Sequence, residues 1–124
     1  MKTSELIGPA LNWAAAKCEE YLNAELTYSN GITTTIVVIN EFGQPYDMRF
    51  GVAWRPSTDW SQGGPIIERE RITIRYWNNT QLVHAYMPSN ENWYSDASSP
   101  LIAAMRAYVA SKLGDEVEIP EELL

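Results

Sequence analysis

A chain of 124 residues, 45% apolar and 20% charged, has the size and make-up of one ordinary globular domain. At that length about two-thirds of the unfolded surface can be buried, so no metal or disulfide is needed to hold a core; multidomain, collagen-like and generally disordered chains are excluded. The net charge is −7, but Asp115, Glu116, Glu118, Glu121 and Glu122 fall in the last ten residues, and −7 + 5 leaves only −2 for residues 1–114.

The sequence therefore reads as a nearly neutral domain, residues 1–114, followed by an irregular acidic tail, residues 115–124. A neutral body lacks the basic face that phosphate backbones require, so nucleic acid is not an expected partner. One cysteine, Cys18, excludes an internal disulfide and any CxxC metal or redox motif, which fits a reducing compartment. The first residues carry Glu5 and no continuous apolar stretch, unlike a secretory leader. The longest apolar runs, residues 36–39 and 101–105, are far below the ~20 residues that span a bilayer. The expected setting is the cytoplasm, with no membrane contact.

In chain order, Gly8-Pro9 opens a helix, since proline costs nothing in a first turn. Leu11, Ala14, Ala15, Cys18, Tyr21 and Leu22 then share an arc of roughly 120° at helical spacing. Trp13 lies on the other side, beside Lys17 and Glu20. Ser29-Asn30-Gly31 is a turn signal, and the β-branched run 32–40 predicts a strand. Tyr46, Met48, Phe50, Val52 and Trp54 alternate with Asp47, Arg49, Gly51 and Ala53, which predicts a second strand pairing back on the first.

Residues 55–65 break the pattern. Ser57 or Thr58 is a candidate cap for one short helical turn, and Gly64-Pro65 for the start of another. Residues 72–77 alternate as a strand, Asn78-Asn79-Thr80 turns, and residues 82–87 return. Trp93-Tyr94 is expected as a short edge strand. Ser99 and Pro100 start a last helix that Gly114 ends. Its Leu101, Ile102, Met105, Tyr108, Val109 and Leu113 share one face, and four alanines smooth the back. The expected fold is α+β: an antiparallel sheet of about four to five strands, packed by N-terminal and C-terminal helices.

Few residues suggest catalysis. The phosphate-cradling glycine motifs, HExxH and GxSxG are absent from the sequence, and each supplies a specific chemistry. One histidine and one cysteine do not make a zinc site without carboxylates. His84, within a strand, is read as structural, and Cys18, inside a helix stripe, as a small hydrophobe. Neither a metal nor a cofactor is expected. The alternating charges Glu68-Arg69-Glu70-Arg71 read as a solvated, self-paired segment.

The least ordinary stretch is WRPSTDWSQGGPIIE, residues 54–68. Two indoles, Trp54 and Trp60, stand beside Ser57, Thr58, Asp59, Gln62 and Glu68, and indoles next to polar groups anchor partners or stack on planar ligands. Gly63 and Gly64 allow positive φ and close backbone approach. These residues, with Trp13, are the candidate binding site. No residue is singled out as catalytic. An equally weighted alternative makes the loop a rigid plug for one end of the core.

Three blocks, KTSELIGPALNWAAAKCE (2–19), PSTDWSQGGPIIERE (56–70) and PLIAAMRAYVASKLGDEVEIPEEL (100–123), resemble the NinX-like proteins of tailed phages and enterobacterial prophages. Ser57, Thr58, Asp59, Trp60, Gln62, Gly63, Gly64, Pro65 and Glu68 match that family's signature loop. Residues 20–55 and 72–99 match it less well. The resemblance implies a cytoplasmic, phage-derived accessory protein and carries over no catalytic residue. The function expected is a non-enzymatic module that binds a host or phage protein. A small-ligand or enzymatic role for the Asp59–Glu68 loop and a role in phage DNA metabolism are the alternatives, and self-association stays open.

Overall fold

The computed structural model describes residues 1–19, 25–27, 33–35, 37–48, 50–76 and 81–124. The side chains of 25–27 and 33–35 are outside that description. The expected turns at 29–31 and 78–80, and the stripe residues Tyr21 and Leu22, lie outside the described residues.

Helix α1, Gly8–Cys18, begins where Gly8 takes φ +60° and Pro9 occupies the first turn. The left-handed glycine turns the chain sharply, and proline gives up no hydrogen bond there. Leu11, Ala14 and Ala15 are fully buried, as the stripe predicts, but Ala10, Asn12 and Ala16 are buried as well. The alanines bring the helix close to its neighbours on several sides, so burial extends well beyond one face.

Strands β1, Glu25–Thr27, and β2, Thr33–Thr35, form an antiparallel pair. A second sheet joins β3, Val37–Ile39, to β4, Pro45–Asp47, and β4 to β5, Val52–Ala53. Between β3 and β4 the Asn40 Oδ1 accepts from Phe42 N at 2.9 Å and Gln44 N at 3.0 Å, an Asx-type turn. The expected continuous strand over 46–54 is not formed. Gly51 N donates to Asp47 O at 2.9 Å and Gly51 takes φ +66°, so residues 48, 50 and 51 lie in a turn and the alternation belongs to two short strands. Met48 and Phe50 consequently stand exposed at the turn.

Helix α2, Trp60–Glu70, replaces the two short turns expected around 57–67. Its cap is Asp59, and Gly63, Gly64 and Pro65 lie inside it. Arg71, at φ 55°, closes it. Strands β6, Thr73–Tyr76, and β7, Val83–Tyr86, form the third antiparallel pair, with Arg75 opposite His84 and Thr73 opposite Tyr86. Trp93-Tyr94 is not a strand. The position beside β7 is taken by Ala97, which exchanges both backbone hydrogen bonds with Val83, at 2.8 and 3.1 Å.

Helix α3, Pro100–Leu113, is the centre of the fold. Ser99 caps it and Gly114, at φ +88°, ends it. It packs on β6 and β7, on α1 and on α2, and residues 103–110 are all buried. The alanine back meets other elements of the same chain. Arg106 is buried with them. Its Nε donates to Leu6 O at 2.7 Å and its Nη1 to Asp96 O at 3.2 Å. Burial lowers its pKa, but guanidinium remains charged at any physiological pH.

The acidic tail is not wholly irregular. Met1 and Val117 exchange backbone hydrogen bonds at 3.0 and 2.9 Å, Thr3 Oγ1 donates to Gly114 O at 2.7 Å, and Glu121–Leu123 form a 3-10 turn that buries Leu123. The class is α+β, with five strands in the three-stranded and β6–β7 sheets beside the helices; the strands are divided among small sheets rather than joined in one.

Candidate functional site

The loop singled out in the sequence folds into a tightly bonded corner between α1, β5 and α2. Trp54 is buried, and its indole Nε1 donates to the Asn12 carbonyl at 2.8 Å. Asn12 Oδ1 accepts from both the backbone N (3.1 Å) and the Oγ (2.7 Å) of buried Ser57. Asn12 is therefore a polar residue placed inside an apolar helix stripe to satisfy a loop 45 positions away, as buried polar groups require. Its position among alanines is the only trace it leaves in the sequence.

Asp59 caps α2. Its Oδ1 accepts from Ser61 N at 2.9 Å and Ser61 Oγ at 2.6 Å. Those bonds hold its carboxyl below the usual carboxylate range, with a smaller contribution from nearby Arg55. Gln62 spans the corner: its Oε1 accepts from Arg55 N at 2.6 Å and its Nε2 donates to Ala53 O at 2.9 Å. Gly63 approaches the Pro56 carbonyl and the Leu101 side chain so closely that a Cβ there has no room, while a Cβ at Gly64 would meet nothing within 4 Å. Neither glycine takes positive φ; close approach is the reason for Gly63 alone.

Most of the candidate residues thus bond to their own chain. Trp60 differs. It is 55% exposed on the first position of α2. Thr58 and Glu68 are exposed too. Trp13 is half-buried against the core, with Lys17 Nζ 5.5 Å from its ring centre, and does not join the corner.

A hollow of about 220 Å³ opens beside α2, lined by Ser61, Gln62, Pro65, Ile66, Trp54 and Val52 among others. Its rim carries Phe50, 72% exposed, and Val52, 44% exposed. Its far wall leaves no local signal in the sequence. Arg69 reaches across from α2 to Glu19, just past α1, with Nη1–Oε1 at 3.0 Å and Nη2–Oε2 at 2.6 Å. Tyr108 Oη donates to the same Glu19 Oε2 at 2.7 Å. Arg69 Nε also donates to Glu70 Oε2 at 2.9 Å, so the self-pairing expected of residues 68–71 holds for this pair, but the guanidinium's main task is to tie two helices together.

The electrostatics follow from those contacts. The Arg69 guanidinium, with Lys112 nearby, holds Glu70 below the usual carboxylate range. Burial, and next the hydrogen bond to Glu19, push the Tyr108 phenol well above its ordinary value. Burial pushes Cys18 up to about 12, which leaves it a thiol at neutral pH and no nucleophile. No cluster of three or more histidine, cysteine or acidic residues suited to a metal occurs among the described residues. No described helix is long and apolar enough to cross a membrane.

A sequence model of the family described as "Bacteriophage P22, NinX" matches residues 2–112. The chain belongs to the NinX family of phage proteins. The match runs through the three-stranded sheet and the β6–β7 pair as well as through the first two sequence blocks and the start of the third, as far as residue 112. Among curated proteins there is no match. Family membership makes this a phage-derived protein. It assigns no role to the α2 corner.

Proposed function

We propose that this NinX-family protein is a non-enzymatic accessory module that acts in the bacterial cytoplasm by binding a host or phage protein. The contact face is the start of α2 and the adjoining turn. The observation that carries this reading is the exposed Trp60, next in sequence to the hollow-lining Ser61, with exposed Phe50 and Val52 on the rim of the same hollow. Exposed aromatic side chains around a concavity are the usual anchors of protein interfaces.

An enzymatic reading of the Asp59–Glu68 loop has less support. Asp59 is engaged as a helix cap and Gln62 as a backbone clamp. A general acid or base must face a substrate, and Asp59 is not among the residues that line the hollow beside α2.

The test is affinity capture from host lysate, with and without phage induction, using wild type, Trp60→Ala and Phe50→Ser. A protein retained by wild type and lost from both variants supports the reading. Proteins captured equally by all three, or none captured under either condition, refute it.

A further inference from the structure

The sheet β6–β7 has two faces, and only one of them meets α3. Directly opposed residues share a face. Ile74 opposite Ala85 is turned to the core, and Arg75 opposite His84 to the outside. Among the described residues no helix covers that outer face. The segment after β7 crosses it instead: Tyr94 stacks on the His84 ring, with centroids 4.3 Å apart and planes 22° apart, and Asp96 Oδ1 holds His84 Nε2. What remains open is a second hollow of about 220 Å³, lined by Arg75, His84, Tyr86, Glu91 and Tyr94. It shares no residue with the hollow beside α2.

The charges in this hollow are unusual in their arrangement. Arg75 and Glu91 are both exposed and line the same small space. Neither makes an ion pair or side-chain hydrogen bond among the described residues, with each other or with anything else. A guanidinium offers a planar fork for a carboxylate, and a carboxylate accepts from an ammonium. Tyr86 and Tyr94 supply aromatic walls to the same hollow, and Tyr94 is stacked on the buried His84. The size matters too. Pockets for drug-sized ligands run about 300–1,000 Å³, so this one has room for a single ring and short polar arms. A di- or triphosphate would place several negative charges near Glu91.

From this geometry we infer that the outer face of β6–β7 is a binding site for a small aromatic zwitterion, of the class of the aromatic amino acids. The carboxylate pairs with Arg75, the ammonium with Glu91, and the ring lies against Tyr94 and Tyr86. The site stands on residues separate from the α2 corner and does not depend on the protein-binding role proposed for it.

The experiment is isothermal titration calorimetry of the full chain with L-phenylalanine and L-tryptophan, set against 3-phenylpropionate, phenethylamine and glycine. These comparison compounds lack the ammonium, the carboxylate and the ring respectively. Both zwitterions should bind, and each comparison compound should bind at least tenfold more weakly. Arg75→Gln and Glu91→Gln alter exposed side chains and should each weaken L-phenylalanine at least tenfold, with the thermal midpoint unchanged. Trp60→Ala should leave that affinity as it is. Absence of binding to wild type at several millimolar, equal binding of 3-phenylpropionate, or undiminished binding in both charge variants would each overturn the inference.

Discussion

The two adjacent glycines of α2 should respond differently to the same added methyl group. Alanine is favoured over glycine inside a helix by about 0.8–1.0 kcal/mol. At Gly64 a Cβ would meet nothing within 4 Å beyond its chain neighbours, but Pro65 follows, and a proline disfavours helical backbone for a preceding residue that carries a Cβ; the two effects offset, and Gly64→Ala should stay within about 0.5 kcal/mol of wild type. At Gly63 the Cβ would sit well inside 3.0 Å of the Pro56 carbonyl oxygen and 2.6 Å from Leu101 Cδ2. The leucine can shift. The carbonyl has little freedom, because Ser57 beside it is bonded twice to Asn12 and Arg55 O accepts from Asp59 N at 2.9 Å. Overpacking of this kind costs about 1–3 kcal/mol, and the helical preference offsets about 1 kcal/mol of it.

The net expectation is that Gly63→Ala destabilises by roughly 1–2 kcal/mol, so the two variants differ by about 1–2 kcal/mol. At about 4 °C per kcal/mol for a chain of this size, that is a separation of roughly 4–8 °C in Tm. Urea unfolding with a shared m-value measures the same difference at room temperature. Equal midpoints, or a Gly63→Ala protein more stable than wild type, would refute the claim that Gly63 serves a close contact.

Other consequences of the structure can be measured on the same protein. Asn12→Ala leaves the Ser57 donors without their shared acceptor inside the core; urea denaturation should show a loss of roughly 2–4 kcal/mol, at about 1–3 kcal/mol per orphaned group. Asp59→Ala removes the α2 cap and should cost about 0.5–2 kcal/mol, while Asp59→Asn should restore most of it. Because the folded-state pKa of Asp59 is depressed, its stabilising contribution is present above the unfolded value of about 3.9 and is lost as pH falls through the lower folded value. The urea midpoint of Asp59→Asn should therefore fall less steeply than that of wild type on acidification below about pH 4. Cys18, with its pKa pushed up to about 12, should resist iodoacetamide at pH 8 in the native protein and react once urea unfolds it, as mass spectrometry would show; rapid native labelling would contradict its placement against the core.

Local signals carried the first and last helices well. Gly8-Pro9, Ser99-Pro100 and Gly114 mark ends that the chain observes, because capping chemistry acts within a few residues. The middle was harder for a physical reason. Alternation over residues 46–54 has the period of a strand, yet Gly51 at φ +66° and the Gly51–Asp47 bond turn the chain, and period alone does not register a tight turn that keeps the same alternation on both sides. The Gly-Gly-Pro in α2 misleads in the opposite sense. Such residues usually break helices, but Pro65 lies one turn inside a helix already capped by Asp59, and Gly63 is there because α2 crosses Pro56 and Leu101 at contact distance.

Tertiary demands of this kind also account for most of the candidate site. The polar residues around the two indoles invited a binding interpretation, and the contacts divide them. Trp54, Ser57, Asp59, Gln62 and Gly63 are committed to holding the β5–α2 corner against α1 and α3, by the bonds of Asn12 and Gln62 and by the fit of Gly63. Trp60 is not needed for that corner to close. A side chain as large as an indole, left 55% exposed beside residues so fully engaged, has little to contribute to folding and much to contribute to recognition. Removing it should therefore separate the two roles: Trp60→Ala should change stability by no more than about 0.5 kcal/mol, as surface substitutions generally do, while partner binding is lost. A Trp60→Ala protein that unfolds several degrees below wild type would instead make the indole part of the corner and return the loop to a structural role.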